Sequence, residues 1–319
     1  MNKIQKSYYA LGTIINLTLF GNPETYMLEN TNRLIKYYED LFTVNSTTSE
    51  VMSINQAAGV KPVSVSDATY NIVKKSIILS QENFGFNSLI GPLVKLWRIG
   101  FGDAQVPTKA QIQKYLTLID PQAATFNDED QSIYLKNPAM ELDLGAIAKG
   151  YIADRIKDYW SAWGKQAGII DLGGNILFMG ASPLHQDHLW SIGIRDPQNP
   201  SGKPIAAVRF KACSAGTSGI YERHLDSGSK SYHHILDPQT GYPHDNNLAS
   251  VTVLSKLSFD GEVETTRLFF ADQPIADWGN NSSDLYGAIF VTLDKKIILQ
   301  KLPPQAITLL DDQYELITF

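Results

Sequence analysis

Four short clusters in this chain carry side chains able to act on a charged substrate. The first is Asp143-Leu144-Gly145-Ala146, with Lys149 three residues on, at the apparent start of a helix. Amides in the first helical turn lack intrahelical partners, and with the helix dipole they favour an anion. Gly145 lets a ligand approach the backbone, and Lys149 adds a full positive charge one turn in. A pyrophosphate suits that corner; a capped helix with a solvated lysine is the other reading. The stretch is neither a Walker A loop nor a GxGxxG fingerprint.

The second cluster, SAGTSG at 214–219, reads as a backbone loop hugging a ligand or as a plain turn. The third, SYHHILDPQTGYP at 231–243, holds adjacent histidines. Neighbouring residues on a strand face opposite ways, so at most one of the pair is a general base. His234, directly before the apolar ILDP corner, is the candidate; Asp237 either orients it or holds the turn. In the fourth, DGEVETTRLFF at 260–270, Glu262 and Thr266 are four apart and share one helix face. A carboxylate and a hydroxyl, completed by carbonyls and water, would suit Mg²⁺; a helix-start acid below a threonine is the structural alternative.

These clusters need a scaffold. Helices are predicted over 24–42, 67–84 (opened by Ser66 and Asp67, closed by Gly85), 107–118 (opened by Pro107-Thr108) and 146–163 (closed by Gly164). Strands are predicted at 9–20, 132–136, 167–171, 175–179, 189–194, 205–211, 249–255, 286–292 and 296–301, the last two joined by the turn LDKK. LDLGAIAKG and IDLGGNILFMG echo each other as two strand-to-turn corners. No linker, low-complexity tract or charge block divides the chain. The expectation is an α+β fold with mixed, largely antiparallel sheets packed with helices, in one domain over 1–319.

With 319 residues, 43 % hydrophobic and 19 % charged, the chain can bury a large core. A net charge of -6 argues against a general nucleic-acid surface. The single cysteine, Cys213, excludes an internal disulfide and a cysteine-rich zinc site, and reads as a small core residue. The first twenty residues show no apolar leader core, lipobox cysteine or membrane span, so a cytoplasmic protein without membrane insertion is expected if the chain starts natively.

Taken together and in order, the clusters are more specific than any one alone. LGTIINLTLFG (11–21), SEVMSIN (49–55), FGFNSLIGPLVKLWRIG (84–100), LDLGAIAKGYIADRI (142–156), AGIIDLGGNILFMG (167–180), TSGIYER (217–223), YHHILDPQTGYP (232–243) and TTRLFF (265–270) cover most of the chain. In this respect the sequence resembles the ApbE-type FAD:protein FMN transferase family. The resemblance implies an ApbE-like fold and an enzyme that cleaves FAD with Mg²⁺ and attaches FMN, by a phosphoester bond, to a Thr or Ser of an acceptor flavoprotein, releasing AMP. FAD is then a substrate and Mg²⁺ the metal. An FAD pyrophosphatase and a non-catalytic flavin-binding protein are the alternatives.

By the same resemblance, Asp143 and Lys149 contact FAD, with Lys149 near the pyrophosphate. Leu11 (where relatives carry Met), Phe86, Asn87, Ser88 and Ile235 belong to the flavin pocket. The backbone oxygen of Ala146, Glu262 and Thr266 hold the metal, and His234 and Lys149 are catalytic. Three features depart from the family pattern: Glu262 stands where Asp is common, Val44 and Asn45 fall where an aromatic stacks on flavin, and the export signal of many relatives is missing.

Overall fold

In the computed structural model, which describes residues 2–199, 202–221, 223–228 and 230–319, the chain forms two compact units. Glu222, inside one of the matching stretches, lies outside the described residues. Unit 1 comprises residues 1–39, 147–219 and 247–319; unit 2 comprises 40–146 and 220–246. Each unit is stitched from separated segments, which is why no linker marks the division.

Among the described residues there are seven α-helices: α1 (Thr25–Phe42), α2 (Glu50–Gln56), α3 (Asp67–Gln81), α4 (Gly91–Trp97), α5 (Lys109–Leu116), α6 (Ala148–Ala162) and α7 (Ser258–Ala271). Their limits follow local chemistry. Ser66 accepts the Thr69 amide at the start of α3, and Thr108 with Gln111 forms a capping box at α5. Along α3, Thr69, Ile72, Val73, Ser76, Ile77 and Ser80 are buried on helical spacing.

Unit 1 is built on a nine-stranded sheet. Its strands, in spatial order, are Lys3–Ala10, Thr13–Phe20, Gly168–Leu172, Ile176–Met179, Ser214–Gly219, Leu248–Ser255, Leu285–Thr292, Lys296–Gln300 and Glu315–Thr318. Every neighbouring pair is antiparallel except the last, which is parallel. Leu248–Ser255 is buried along its whole length, and α7 packs on it and on Ser214–Gly219. Strands covered on both faces lose the polar alternation of a half-exposed strand. A second sheet (Trp190–Ile194, Ala206–Phe210, Ile307–Leu309) shares a core with the first through Trp190, Val208, Cys213, Ile289 and Leu299. Cys213 is buried there and its thiol is pushed up to about 12, so it is an inert packing group.

Two stretches differ from the sequence expectation. Residues 9–20 are not one strand but the tip and return of a hairpin: Lys3–Ala10 pairs with Thr13–Phe20 across Leu11 (φ 54) and Gly12 (φ 69). Both turn residues are left-handed, the geometry of a two-residue hairpin turn, and a leucine there gives no turn signal. Lys3–Ala10 is an edge strand that alternates exposed with half-buried residues, without an apolar face to announce it. Residues 214–219, read as loop or turn, are a central strand. Their small side chains make room for α7, whose backbone at Gly261 and Glu262 lies 3.6 Å from where a Cβ on Gly216 would stand.

Unit 2 contains α2 to α5, a small antiparallel sheet ordered Val63–Ser64, Ser132–Leu135, Ala124–Asn127, and a hairpin of His224–Ser227 with Lys230–His233. The buried indole of Trp97 donates to the Gly241 carbonyl at 2.8 Å and packs on Tyr232 and Tyr242, fixing the segment that carries the histidines. Among the described residues, no helix is long and apolar enough to cross a membrane.

In unit 1, α6 and α7 pack closely at Gly150: a Cβ there would lie 2.6 Å from both Glu262 Oε2 and the Ser258 carbonyl oxygen. Gly150→Ala is therefore expected to destabilise the protein by about 1–3 kcal/mol despite alanine's better helix propensity, measured as a lowered denaturant midpoint at unchanged m-value.

Candidate active site

The helix that follows the Asp143 corner begins at Ala148 without a side-chain cap of its own, and α7 likewise has no side-chain cap from Leu257. Each is capped by the other. Asp154 of α6 accepts the Ser258 and Phe259 amides at 2.9 and 3.0 Å, and Glu262 of α7 accepts the Gly150 amide at 2.6 Å. Two buried carboxylates thus replace local caps. Burial raises the Asp154 carboxyl, opposed by the Phe259 and Ser258 amides and by the Lys157 and Arg155 charges. Burial pushes Glu262 up to about 7, opposed by the Lys149 charge, then by the Asn175 side chain and the Gly150 amide, while Asp154 raises it further.

Lys149, Glu262 and Thr266, chosen from sequence, are all in unit 1, and the first two interact electrostatically. One turn along α7, the hydroxyls of Thr266 and Thr265 donate to the Glu262 carbonyl at 3.2 and 2.8 Å. Having given its proton to the backbone, the Thr266 oxygen retains lone pairs for a hard cation. Leu11, also in unit 1, occupies the hairpin turn, where its amide donates to Glu39 Oε1 at 2.7 Å. Among the described residues, no group of three or more His, Cys, Asp or Glu side chains is arranged to hold a metal. A cation here would therefore need a mixed set of carboxylate, hydroxyl and carbonyl oxygens.

Phe86, Asn87, Ser88, Asp143, Ala146, His234 and Ile235 belong to unit 2. The Asp143 amide donates to the Ser88 carbonyl at 2.9 Å, bringing together two predicted stretches far apart in sequence. Asp143 Oδ1 accepts the Gly145 amide at 2.8 Å and tightens the corner. Desolvation raises this half-buried carboxyl, and the Gly145 amide, Arg223 and Lys95 oppose the rise while Glu141 adds to it. Asn87 and Ser88 use their side chains internally. Asn87 donates to the Ile119 carbonyl and accepts the Leu89 amide, both at 2.8 Å, and the Ser88 hydroxyl lies among those of Ser76 and Ser80. Phe86 is buried, whereas Ala146 is exposed.

The two adjacent histidines make different contacts. His233 accepts the Ile235 amide at Nδ1, which makes Nε2 the protonated nitrogen that donates to the His244 carbonyl at 2.7 Å. Burial lowers its basicity further, and its role is to hold the segment. His234 has its Nδ1 3.3 Å from the Arg223 carbonyl, an arrangement that protonates Nδ1 and leaves Nε2 the basic nitrogen of the neutral ring. Asp237 holds the turn: its carboxylate accepts the Gln239 amide and its backbone bonds Tyr242 and Gly241.

Sequence reasoning did not single out Asn55. This buried residue of α2 accepts the Leu142 amide at 2.7 Å and donates to the Leu142 carbonyl at 3.0 Å, pinning the backbone just before Asp143. The available signal was an amide side chain on a short helix, whose partner is 87 residues away. Asp154 and Asn175 were missed in the same way; both are polar residues whose burial no local pattern signals.

The fold is α+β, and in unit 1 an acid, a lysine and a hydroxyl gather where α6 and α7 pack together. The ApbE family model matches residues 11–289. A Klebsiella pneumoniae protein named FAD:protein FMN transferase is 41 % identical over 314 residues, spanning 98 % of this chain and 96 % of its own. A Treponema pallidum protein of the same name is 34 % identical over 254 residues, spanning 76 % and 70 %. Among solved structures, the ApbE protein of Thermotoga maritima matches with a TM-score of 0.83 at 24 % identity, covering 91 % of this chain and 94 % of that one. The flavin transferase ApbE of Vibrio cholerae matches with a TM-score of 0.76 at 24 % identity over the same shares. This chain belongs to the ApbE family.

Asn55→Ala should cost about 1–3 kcal/mol, because it strands the amide and carbonyl of Leu142 in the interior; urea unfolding checks it. A second expectation concerns pH. Burial pushes the Glu262 carboxyl up to about 7 from its ordinary value of 4.5, so the folded state holds its proton more tightly than the unfolded state. Its contribution to stability is complete below pH 4.5 and is lost as pH rises through about 7, a swing of about 3 kcal/mol. In chelator-treated protein, Glu262→Gln should flatten that decline relative to the wild type, read from denaturation midpoints between pH 4.5 and 8.

Proposed function

We propose that this chain is an FAD:protein FMN transferase, with residues 1–319 working as one functional domain. The observation that carries the reading is the grouping of Lys149 and Thr266 around the buried Glu262 at the start of α6. The names of relatives that match nearly the whole chain support it. A divalent cation fits these residues. Glu262 is buried and costly to ionise on its own, a cost that a neighbouring cation offsets, and the available donors are the oxygens that Mg²⁺ prefers. The Glu262 carboxylate and the Thr266 hydroxyl would hold Mg²⁺, whose contribution when bound is to neutralise charge on the pyrophosphate.

The remaining roles belong to the chain's own side chains. Lys149 pairs with the pyrophosphate, helped by the start of α6, and stabilises the charge that develops there. Asp143, Leu11, Phe86, Asn87, Ser88 and Ile235 bind and orient FAD. Asn87 and Ser88 do so through the shape of their loop, since their side chains are engaged within it. A Thr or Ser hydroxyl of an acceptor flavoprotein attacks the phosphorus on the FMN side. The new P–O bond forms as the bond to the AMP phosphate breaks, the hydroxyl proton passes to His234, and AMP leaves with the electron pair.

Mass spectrometry of a candidate acceptor, after incubation with this protein, FAD and Mg²⁺, should reveal an FMN-sized adduct on a Thr or Ser. Glu262→Ala should abolish Mg²⁺-dependent transfer in a folded protein, and His234→Ala should slow it about 10²–10⁴-fold while FAD still binds. Rapid AMP release with no acceptor present and no adduct in its presence would overturn the reading in favour of a pyrophosphatase.

A further inference from the structure

The contacts between α6 and α7, both in unit 1, have a register. Asp154 meets the start of α7 at Ser258; four residues earlier on α6, Gly150 meets Glu262, which stands four residues later on α7. The two helices therefore run antiparallel. Ser258, Glu262 and Thr266, spaced four apart, follow one another along the side of α7 that is turned to α6. Asp154 is 4 % exposed, and both its oxygens are used: Oδ1 accepts the Ser258 amide at 2.9 Å and Oδ2 the Phe259 amide at 3.0 Å. Bonds to two successive amides fix α7 both in height and in rotation about its axis, which one contact cannot do. Nothing within α7 sets that phase, because its first amides have no intrahelical partners and Leu257, at the N-cap position, offers no side-chain oxygen. Lys157 ties the same junction from α6: its ammonium lies 3.8 Å from Asp154 Oδ1 and donates to the Lys256 carbonyl at 3.2 Å, just before α7 begins.

We propose that Asp154 is a positioning residue for the transfer reaction: by clamping the first two amides of α7 it sets the phase of that helix, and with it the orientation in which Glu262 and Thr266 together face a divalent cation. The inference rests on Glu262 and Thr266 being metal ligands, as proposed above. They sit about one and two turns beyond the clamp, so a rotation of α7 moves both donors at once. The Gly150 amide restrains only the Glu262 side chain, through Oε2, whereas the clamp restrains the backbone that carries both donors. Outer residues that orient metal ligands typically contribute about 10–100-fold to affinity.

The experiment is Mn²⁺ binding to the full chain, by calorimetry and electron paramagnetic resonance, without substrate. Asp154→Asn, isosteric but left with one acceptor for two amides, should weaken Mn²⁺ binding about tenfold or more, and the transfer rate should recover at saturating metal. Thr31→Val is the control for lost stability alone. It strands the buried Trp160 indole N–H, which donates to Thr31 Oγ1 at 2.8 Å, and so disturbs the packing of α6 without touching the start of α7. It should bind Mn²⁺ as the wild type does. If Asp154→Asn does not fold, Ser258→Pro is compared with Ser258→Ala. Both lose the serine hydroxyl, but only proline, which suits a first helical position, also loses an amide that Asp154 accepts, and it should bind Mn²⁺ the more weakly. Wild-type affinity in Asp154→Asn, or a loss no greater than that in Thr31→Val, overturns the proposal, as does equal affinity in the two Ser258 variants. Glu262→Ala tests the reading underneath. Wild-type affinity there shows that Glu262 is not a ligand, and this inference falls with it; lost affinity there beside wild-type affinity in Asp154→Asn overturns the role of Asp154 alone.

Discussion

Two helices that exchange carboxylates are the constraint on which unit 1 turns. Neither α6 nor α7 opens with a capping side chain, and each borrows an acid from the interior of the other. A helix start deprived of its cap is unfavourable, and so is a carboxylate buried without donors; pairing the two defects offsets both. The exchange also ties the acid, the lysine and the hydroxyl to the same pair of helices, so the chemistry shares its support with the fold. Gly150 is what allows the helices to approach closely enough.

The arrangement is asymmetric. Asp154 meets two amides, whereas Glu262 meets one and has Lys149 close by. The first is saturated and structural. The second combines one backbone amide with a neighbouring charge, a less symmetric setting than that of Asp154. In unit 2 the same economy is absent: Asp143 and the loop at Phe86–Ser88 are held by backbone pairing and by Asn55, which acts as a surrogate strand for Leu142.

Much of this was legible in the residues. Ser66 and Thr108 mark helix starts, and alternating or continuous apolar runs mark most strands, because those signals are local. The choice of Lys149, Glu262 and Thr266 rested partly on spacing along single helices, which structure preserves. The partners that make them a group were not legible. Asp154, Asn175 and Asn55 are polar residues whose burial is decided by contacts 83 to 105 residues away, and no window on the chain reports that. The hairpin turn escaped because Leu11 adopts a conformation typical of glycine, held by a carboxylate from α1. The strand at 214–219 escaped because its small residues answer to a helix packed on them.

Unit 1 draws on both ends of the polypeptide. Strand Thr13–Phe20 pairs with Gly168–Leu172, and Ser214–Gly219 with Leu248–Ser255, while residues 40–146 belong to unit 2. During synthesis the opening hairpin must therefore wait for more than a hundred residues to emerge before its sheet partner exists. Closing such long loops is slow, and an unpaired apolar strand edge is prone to self-association in the interval. The order in which the strands emerge therefore leaves the second edge of Thr13–Phe20 unpaired until Gly168–Leu172 is made.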